Sequence, residues 1–447
     1  MYKGENTRKQ TLFFIKILIP VILYQMISYS SNMIGTFMLG HYNTKDLAGV
    51  SLGVNVWTPI FSVISTLVLA LVPIVSNLIG EGREKEVSVK VKQFIYVGFF
   101  ISLVVTILQY NFSYFFIENL DIEKEISFIT VKFLKYQSLS LIPITLYVTL
   151  RSFIDSLGLT KISMTMMLIY VPINILLSYL FIFGKFGFHE FGGVGVAISS
   201  IITFIISLLL AIFVVSFHPR IKRYHIIKFS PIRLEHWPEI FKLGLPMAFA
   251  VLLETFMFSA LSLMVSRFDT ITIAAHQSSL NFSGFLYCLP MSISTAITII
   301  VSYHLGAKNY KIANKYVYIG ISVCLVLSIF ISIFILLFQD YIPYLYGNDR
   351  VFVSKVKKLI LYIIGFTIFD SFSSCFVGAL RAHKKVIPIC ISQIIGFYVL
   401  AIPFAFYLVY RLEIGVKGLW ISWLLGLAIY AIMMTIYYFK ILDRKIK

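Results

Sequence analysis

Charge is what this sequence has least of. Only 13% of its 447 residues are Asp, Glu, Lys or Arg and 59% are apolar, where a soluble domain carries about 25% charged residues. So little charge cannot cover the surface of a water-soluble fold, so the surplus apolar surface calls for an apolar solvent. Cysteine is also scarce. Cys288, Cys324, Cys375 and Cys390 all fall in apolar stretches, with no CxxC pair and no histidine at ligand spacing. That excludes a disulfide framework and a Cys/His metal centre, and leaves the thiols as membrane-core filler. No GxxxxGK[ST] motif is present, so no bound nucleotide supplies energy. The first apolar stretch, Thr11 to Leu39, is followed by no small-residue cleavage site and is too long for a removed signal; it reads as a retained first helix.

What the sequence has instead is long apolar runs. Spans are expected at about 11–39, 48–79, 88–112, 127–156, 161–184, 192–217, 236–266, 270–305, 314–338, 351–381, 386–410 and 414–441. Each reaches or exceeds the ~20 residues that cross a bilayer, and unpaired strand edges cannot exist there, so the spans are helices. The excess of 38 Lys and Arg over 20 Asp and Glu is not a nucleic-acid footprint: the basic residues sit in short loops on alternate sides. Of the 38, 26 share the side of the two termini, which predicts both termini in the cytoplasm of a multi-pass cell-membrane protein. The loop holding Glu118, Asp121, Glu123 and Glu125 falls on the opposite side.

The two halves repeat. An offset of 226 aligns Lys16 with Lys242, Pro20 with Pro246, Asn55 with Asn281, Val75–Ser76 with Val301–Ser302 and Gly80 with Gly306. Later, Leu150–Arg151 resembles Leu380–Arg381, and Gly192, Gly195, Ile198 and Ser199 match Gly415, Gly418, Ile421 and Ser422. The expected organisation is an all-α membrane protein of twelve helices in two pseudo-symmetric lobes: 1–217, a basic inter-lobe loop over 218–235, and 236–447. Parallel six-helix repeats are the architecture of alternating-access transporters; a channel or a membrane enzyme has no need of the duplication.

Two carboxylates interrupt the apolar spans. Glu254 lies 12 residues after Lys242 and 13 before Arg267; Asp370 lies 12 after Lys358 and 11 before Arg381. Each is about 18 Å from the span ends, where a lone charge costs about 2.5–3.5 kcal/mol on insertion scales. No Lys or Arg is expected at comparable depth in the seventh, eighth or tenth span, so the counter-charge has to be mobile: a proton, a sodium ion or a cationic substrate. Hard oxygen donors suit sodium and a low dielectric suits a proton; the choice stays open, as does a structural hydrogen bond made by a protonated acid. Gln277 and Asn281 in the next span, and Gln25, Asn32, Asn174 and Ser178 in the N-terminal half, are expected on a polar cavity wall or in interhelical hydrogen bonds. Tyr287 and Phe366 are aromatics placed to hold a flat cation.

Other features read more plainly. Arg151 and Asp155 are spaced as an ion pair on one helix face, with Arg381 as the counterpart of Arg151. Gly49-Val50-Ser51-Leu52-Gly53 fits the nucleophile pattern GxSxG but opens an apolar helix, and His276 reads as a satisfied core histidine. No catalytic residue and no cofactor is expected.

Together, Pro20 with Met38-Leu39-Gly40, LVPIVSNLIGEG (71–82), LRSFIDSLGLTK (150–161), VPIN (171–174), GKFG (184–187), KLGLP (242–246), LLETFMF (252–258), AAHQSSLNFSG (274–284) and PMSIS (290–294) resemble the multidrug and toxin extrusion (MATE) transporters, in the NorM-type branch. The resemblance implies an antiporter that exports cationic amphipathic drugs in exchange for sodium or protons by rocking two lobes. It implies small organic cations and membrane lipids as partners, no nucleic acid, and a functional monomer. The family's two C-lobe cation-site acids match Glu254 and Asp370. A family tyrosine four residues before the aspartate is Phe366, and a family aspartate in the first span is Gly35, which removes proton coupling through the N-terminal lobe. A lipid-linked saccharide flippase of related fold, a passive channel and a membrane enzyme are the alternatives.

Overall fold

The computed structural model describes residues 6–118, 122–228 and 230–443; Lys3 and Asp121 lie outside them. The described residues are predominantly helical. In order they form α1 (Thr7–Tyr42), α2 (Thr44–Leu69), α3 (Leu71–Gly80), α4 (Glu84–Glu118), α5 (Lys124–Leu139), α6 (Leu141–Ser156), α7 (Thr160–Phe183), α8 (Val194–Phe217), the short α9 (Pro219–Lys222), α10 (Trp237–Val265), α11 (Thr270–Gly306), α12 (Tyr310–Phe338), α13 (Arg350–Ala382), α14 (Ile387–Gln393), α15 (Ile402–Phe406) and α16 (Val416–Tyr437). Eleven helices among the described residues are long and apolar enough to cross a membrane.

The fourth expected span, 127–156, is different: it is made of α5 and α6, 16 residues each. Pro143 has no N–H to give the Leu139 carbonyl, and the chain tightens at Ser140, whose N–H turns back to the Gln137 carbonyl at 3.0 Å. The same arithmetic breaks the second span. Pro73 withholds the N–H that Leu69 needs, and α2 gives way to α3 at Ala70. Residues 387–411 wind into π-helical turns at 394–401 and 407–411 around Pro403.

The helices are apolar outward and small or polar inward, as lipid-facing helices must be. On α12, Val326, Phe330, Ile333 and Leu337 are exposed along one face, while Gly320, Cys324 and Ser328 are buried on the other. Helix starts are capped where the sequence supplies an acceptor: Asn43 Oδ1 takes the Lys45 N–H at 2.8 Å and Asp349 takes the Phe352 N–H at 2.8 Å.

The chain divides into two compact units, one of Met1–Leu18 with Phe249–Lys447 and one of Ile19–Ala248. The divisions fall within α1 and α10, beside the repeat-related Pro20 and Pro246, and not in the loop at 218–235 that the sequence suggests. That loop is fastened to α4 inside the second unit. Fully buried Gln93 donates to the Pro231 carbonyl at 3.1 Å and accepts from the Arg233 N–H at 3.0 Å and from Trp237 Nε1 at 3.2 Å. Tyr96 donates to the Ser230 carbonyl, and Lys90 pairs with Glu239.

The repeat is visible in the turns. After α3, Arg83 N–H bonds the Leu78 carbonyl and Gly82 has φ 75°; after α11, Asn309 N–H bonds the His304 carbonyl and Lys308 has φ 57°. After α6, Gly158 (φ 73°) bonds Asp155 and Leu159 bonds Ile154; after α13, Lys384 (φ 56°) bonds Arg381 and Lys385 bonds Leu380. The offset is 226 throughout. This corrects the pairing of Arg151 with Arg381: a two-residue match misled, and the residue equivalent to Arg381 is Asp155.

Candidate cation site

The unit of Met1–Leu18 and Phe249–Lys447 is organised around the contact of α11 with α13. At Gly378 the two backbones touch, because a Cβ there would stand 2.5 Å from the Ser294 carbonyl oxygen. Thr298 Oγ1 bonds the Gly378 carbonyl at 3.1 Å. Only glycine permits this approach. As alternate membrane spans, the two helices run in the same sense. Seven residues back along α11 and eight along α13 each rise about 10–12 Å, which brings Tyr287 and Asp370 to one level.

There Glu254 of α10 and Asp370 of α13 lie within electrostatic range of each other, with Tyr287 beside Glu254. Ser373 Oγ donates to the Asp370 carbonyl at 3.0 Å and lies beside its carboxylate. Tyr430 of α16, buried, completes the group and senses both acids. Among the described residues no Lys or Arg forms an ion pair with either carboxylate. The donors on offer are carboxylate and hydroxyl oxygens, a hard set that fits a monovalent alkali cation or a proton.

The sequence missed two members of the group. Tyr430 gave no signal, being one of 27 tyrosines. Residue counting sets Arg381 at the end of its span, yet its charge acts on Glu254, Tyr287 and Tyr430. A helical side chain leans towards the N-terminus of its helix, so an arginine at the last turn of α13 reaches back towards the acids.

The other expected site residues are dispersed. Phe366 is buried and packs on Trp420 and Trp423, with ring centroids 5.3 and 4.2 Å away. Trp420 Nε1 donates to His276 Nδ1 at 3.1 Å. Gln277 is exposed, and Asn281 Oδ1 accepts from the Tyr346 hydroxyl at 3.2 Å. In the other unit Asn174 Nδ2 donates to Thr203 Oγ1 at 3.3 Å and Ser178 meets Ser199 at 2.8 Å, so both join α7 to α8. Gln25 is half-buried on α1, and the side chain of Asn32 lies outside the described residues. Arg151 stacks on the Tyr24 ring 4.2 Å from its centroid, with its Nε 4.0 Å from Asp155, which also accepts from Ser163 at 2.6 Å.

Two successive stretches, residues 20–180 and 246–407, match the MatE family profile. The chain belongs to the MATE family. The two matches start 226 residues apart, the offset of the turns. Curated MATE relatives place it in the NorM-type branch: it is 35% identical over 429 residues to the probable multidrug resistance protein NorM of Bacillus licheniformis, covering 96% of this chain and 95% of that one. It is 34% identical over 430 residues to the NorM of Streptococcus pneumoniae serotype 4, with the same coverage. In fold it is similar to the crystal structure of the eukaryotic MATE transporter AtDTX14, with a TM-score of 0.89 at 20% identity over 98% of both chains. It is also similar to an outward-facing multidrug resistance MATE transporter, with a TM-score of 0.87 at 17% identity over 98% of this chain and 96% of that one. Membership makes this a multi-pass membrane transport protein and not an enzyme.

Proposed function

We propose that this MATE protein is a multidrug exporter that exchanges cationic amphipathic compounds for sodium ions or protons, with Glu254 and Asp370 as the shared cation site. The observation that carries the reading is that carboxylates from α10 and α13 lie within electrostatic range of each other, with no ion-paired base among the described residues. Two like charges held together in a low dielectric repel each other strongly. With no base ion-paired to them, they draw a mobile cation into the site. A coupling ion and an organic cation that compete for the same negative charge exclude one another, and exclusion is what exchange requires. Each ligand then biases one two-state equilibrium of the lobes. The excess of basic residues on the side of the termini supports an orientation with both termini in the cytoplasm of the cell membrane.

The experiment loads proteoliposomes with a fluorescent organic cation and imposes a sodium gradient or a pH gradient separately. Wild-type protein moves the cation under one of them, and Glu254→Gln and Asp370→Asn do not. Export by both variants at the wild-type rate overturns the assignment. Ion flux that ignores the organic cation points to a channel instead.

A further inference from the structure

The repeat sets Arg381 against Asp155, and the two surroundings differ in sign and in pairing. Asp155 has Arg151 one turn back on its own helix and Ser163 on the next. The residue one turn back from Arg381, equivalent to Arg151, is Val377, and the residue equivalent to Tyr24 is Ala250. Val377 and Ala250 therefore give Arg381 neither the acid nor the ring that hold Arg151. Its Nε is buried without a hydrogen-bond partner, and among the described residues its guanidinium forms no ion pair. Three residues away, the backbone contact at Gly378 fixes the height of α13 against α11. The charge of Arg381 falls on Glu254 and on the two tyrosines beside it.

We propose that Arg381 is a tethered counter-charge for the acid site, close enough to offset Glu254 when no cation is bound and too far to close an ion pair with it. This rests on the cation-site reading above and adds to it a residue that sets affinity. A bound cation feels the attraction of two carboxylates and the repulsion of one guanidinium. The repulsion keeps binding weak enough to reverse, and the same charge stabilises the emptied site through which exchange must pass. Arg381 is a positioning and affinity-setting group and not a cation ligand.

The test measures binding of sodium and, separately, of tetraphenylphosphonium to purified protein, by ligand-dependent thermal stabilisation at constant ionic strength. Arg381→Gln is expected to tighten both on the order of tenfold, the effect of removing one nearby screened like charge, and to slow exchange at saturating cation. A merely structural arginine gives the opposite sign, since a damaged site binds more weakly. Arg381→Lys keeps a charge on a shorter stem and is expected to tighten binding by a smaller factor; it also serves if the glutamine variant does not fold. Arg151→Gln, which removes a charge held by its own aspartate and tyrosine, is expected to leave cation affinity unchanged. If Glu254→Gln binds both cations like wild type, the site itself is misassigned. If Glu254→Gln abolishes binding while the Arg381 variants bind as wild type or more weakly, only the counter-charge proposal falls.

Discussion

Gly378→Ala is the sharpest probe of the packing that builds the site. The added methyl would lie 2.5 Å from the Ser294 carbonyl oxygen and 3.0 Å from its Cα. Both are backbone atoms and cannot rotate away. Reaching ordinary contact at 3.4 Å requires α11 and α13 to part by about 0.9 Å, and overpacking of this kind costs about 1–3 kcal/mol. Gly320 is the internal control. A Cβ there also meets atoms at 2.5 and 2.8 Å, but these are Cδ1 and Cγ1 of the Ile297 side chain. Gly320→Ala is expected to cost less and to be relieved by Ile297→Ala, whereas no side-chain change relieves Gly378→Ala. The assay is thermal unfolding of purified protein with and without cation. Gly378→Ala should lower the midpoint by several degrees and also shrink the cation-dependent stabilisation, because Tyr287 and Asp370 lie on the parted helices. An unchanged midpoint in Gly378→Ala, or a larger loss in Gly320→Ala, refutes the reasoning.

Two further predictions concern regions away from the acids. Gln93→Ala removes three hydrogen bonds that hold residues 231–237 against α4, with an expected local loss of about 1–3 kcal/mol; limited proteolysis within 218–236 should quicken roughly tenfold, and an unchanged cleavage rate sinks the clamp. Asp269 caps α11 through the Thr272 side chain and N–H and pairs with Lys355 Nζ at 3.0 Å, and these partners hold its carboxyl well below the usual range. A carboxyl depressed on folding stabilises the protein above its unfolded value near 3.9 and loses that contribution as pH falls through the folded value. Wild type should therefore melt above Asp269→Asn at neutral pH, with the gap narrowing only in strong acid; a gap independent of pH contradicts it.

Much of this molecule was legible in its sequence because the bilayer imposes simple rules. Span length, the scarcity of charge and the 226-residue repeat follow from the cost of burying polar groups in hydrocarbon. Glu254 and Asp370 stood out for the same reason. What the sequence obscured depended on direction and on fine alignment. Counting residues put Arg381 at the end of its span, whereas its side chain leads back along the helix. Matching Leu-Arg to Leu-Arg concealed that Asp155 and Arg381 hold the same turn. Asn174 and Ser178 carried two readings that composition could not separate, and both side chains are taken up by Thr203 and Ser199 of α8. The loop at 218–235 suggested a boundary because it is long and basic, while Gln93 ties it to one unit.

The central claim is that a coupling ion and an exported cation compete for one pair of carboxylates. Equilibrium binding of tetraphenylphosphonium to the purified protein, measured over a series of sodium concentrations and then over a series of pH values, tests this most directly. The account predicts that its apparent Kd rises in proportion to one of the two ions with no loss of binding capacity, and that the dependence disappears in Glu254→Gln and Asp370→Asn. An apparent Kd that neither ion moves, or a fall in capacity at constant Kd, contradicts it.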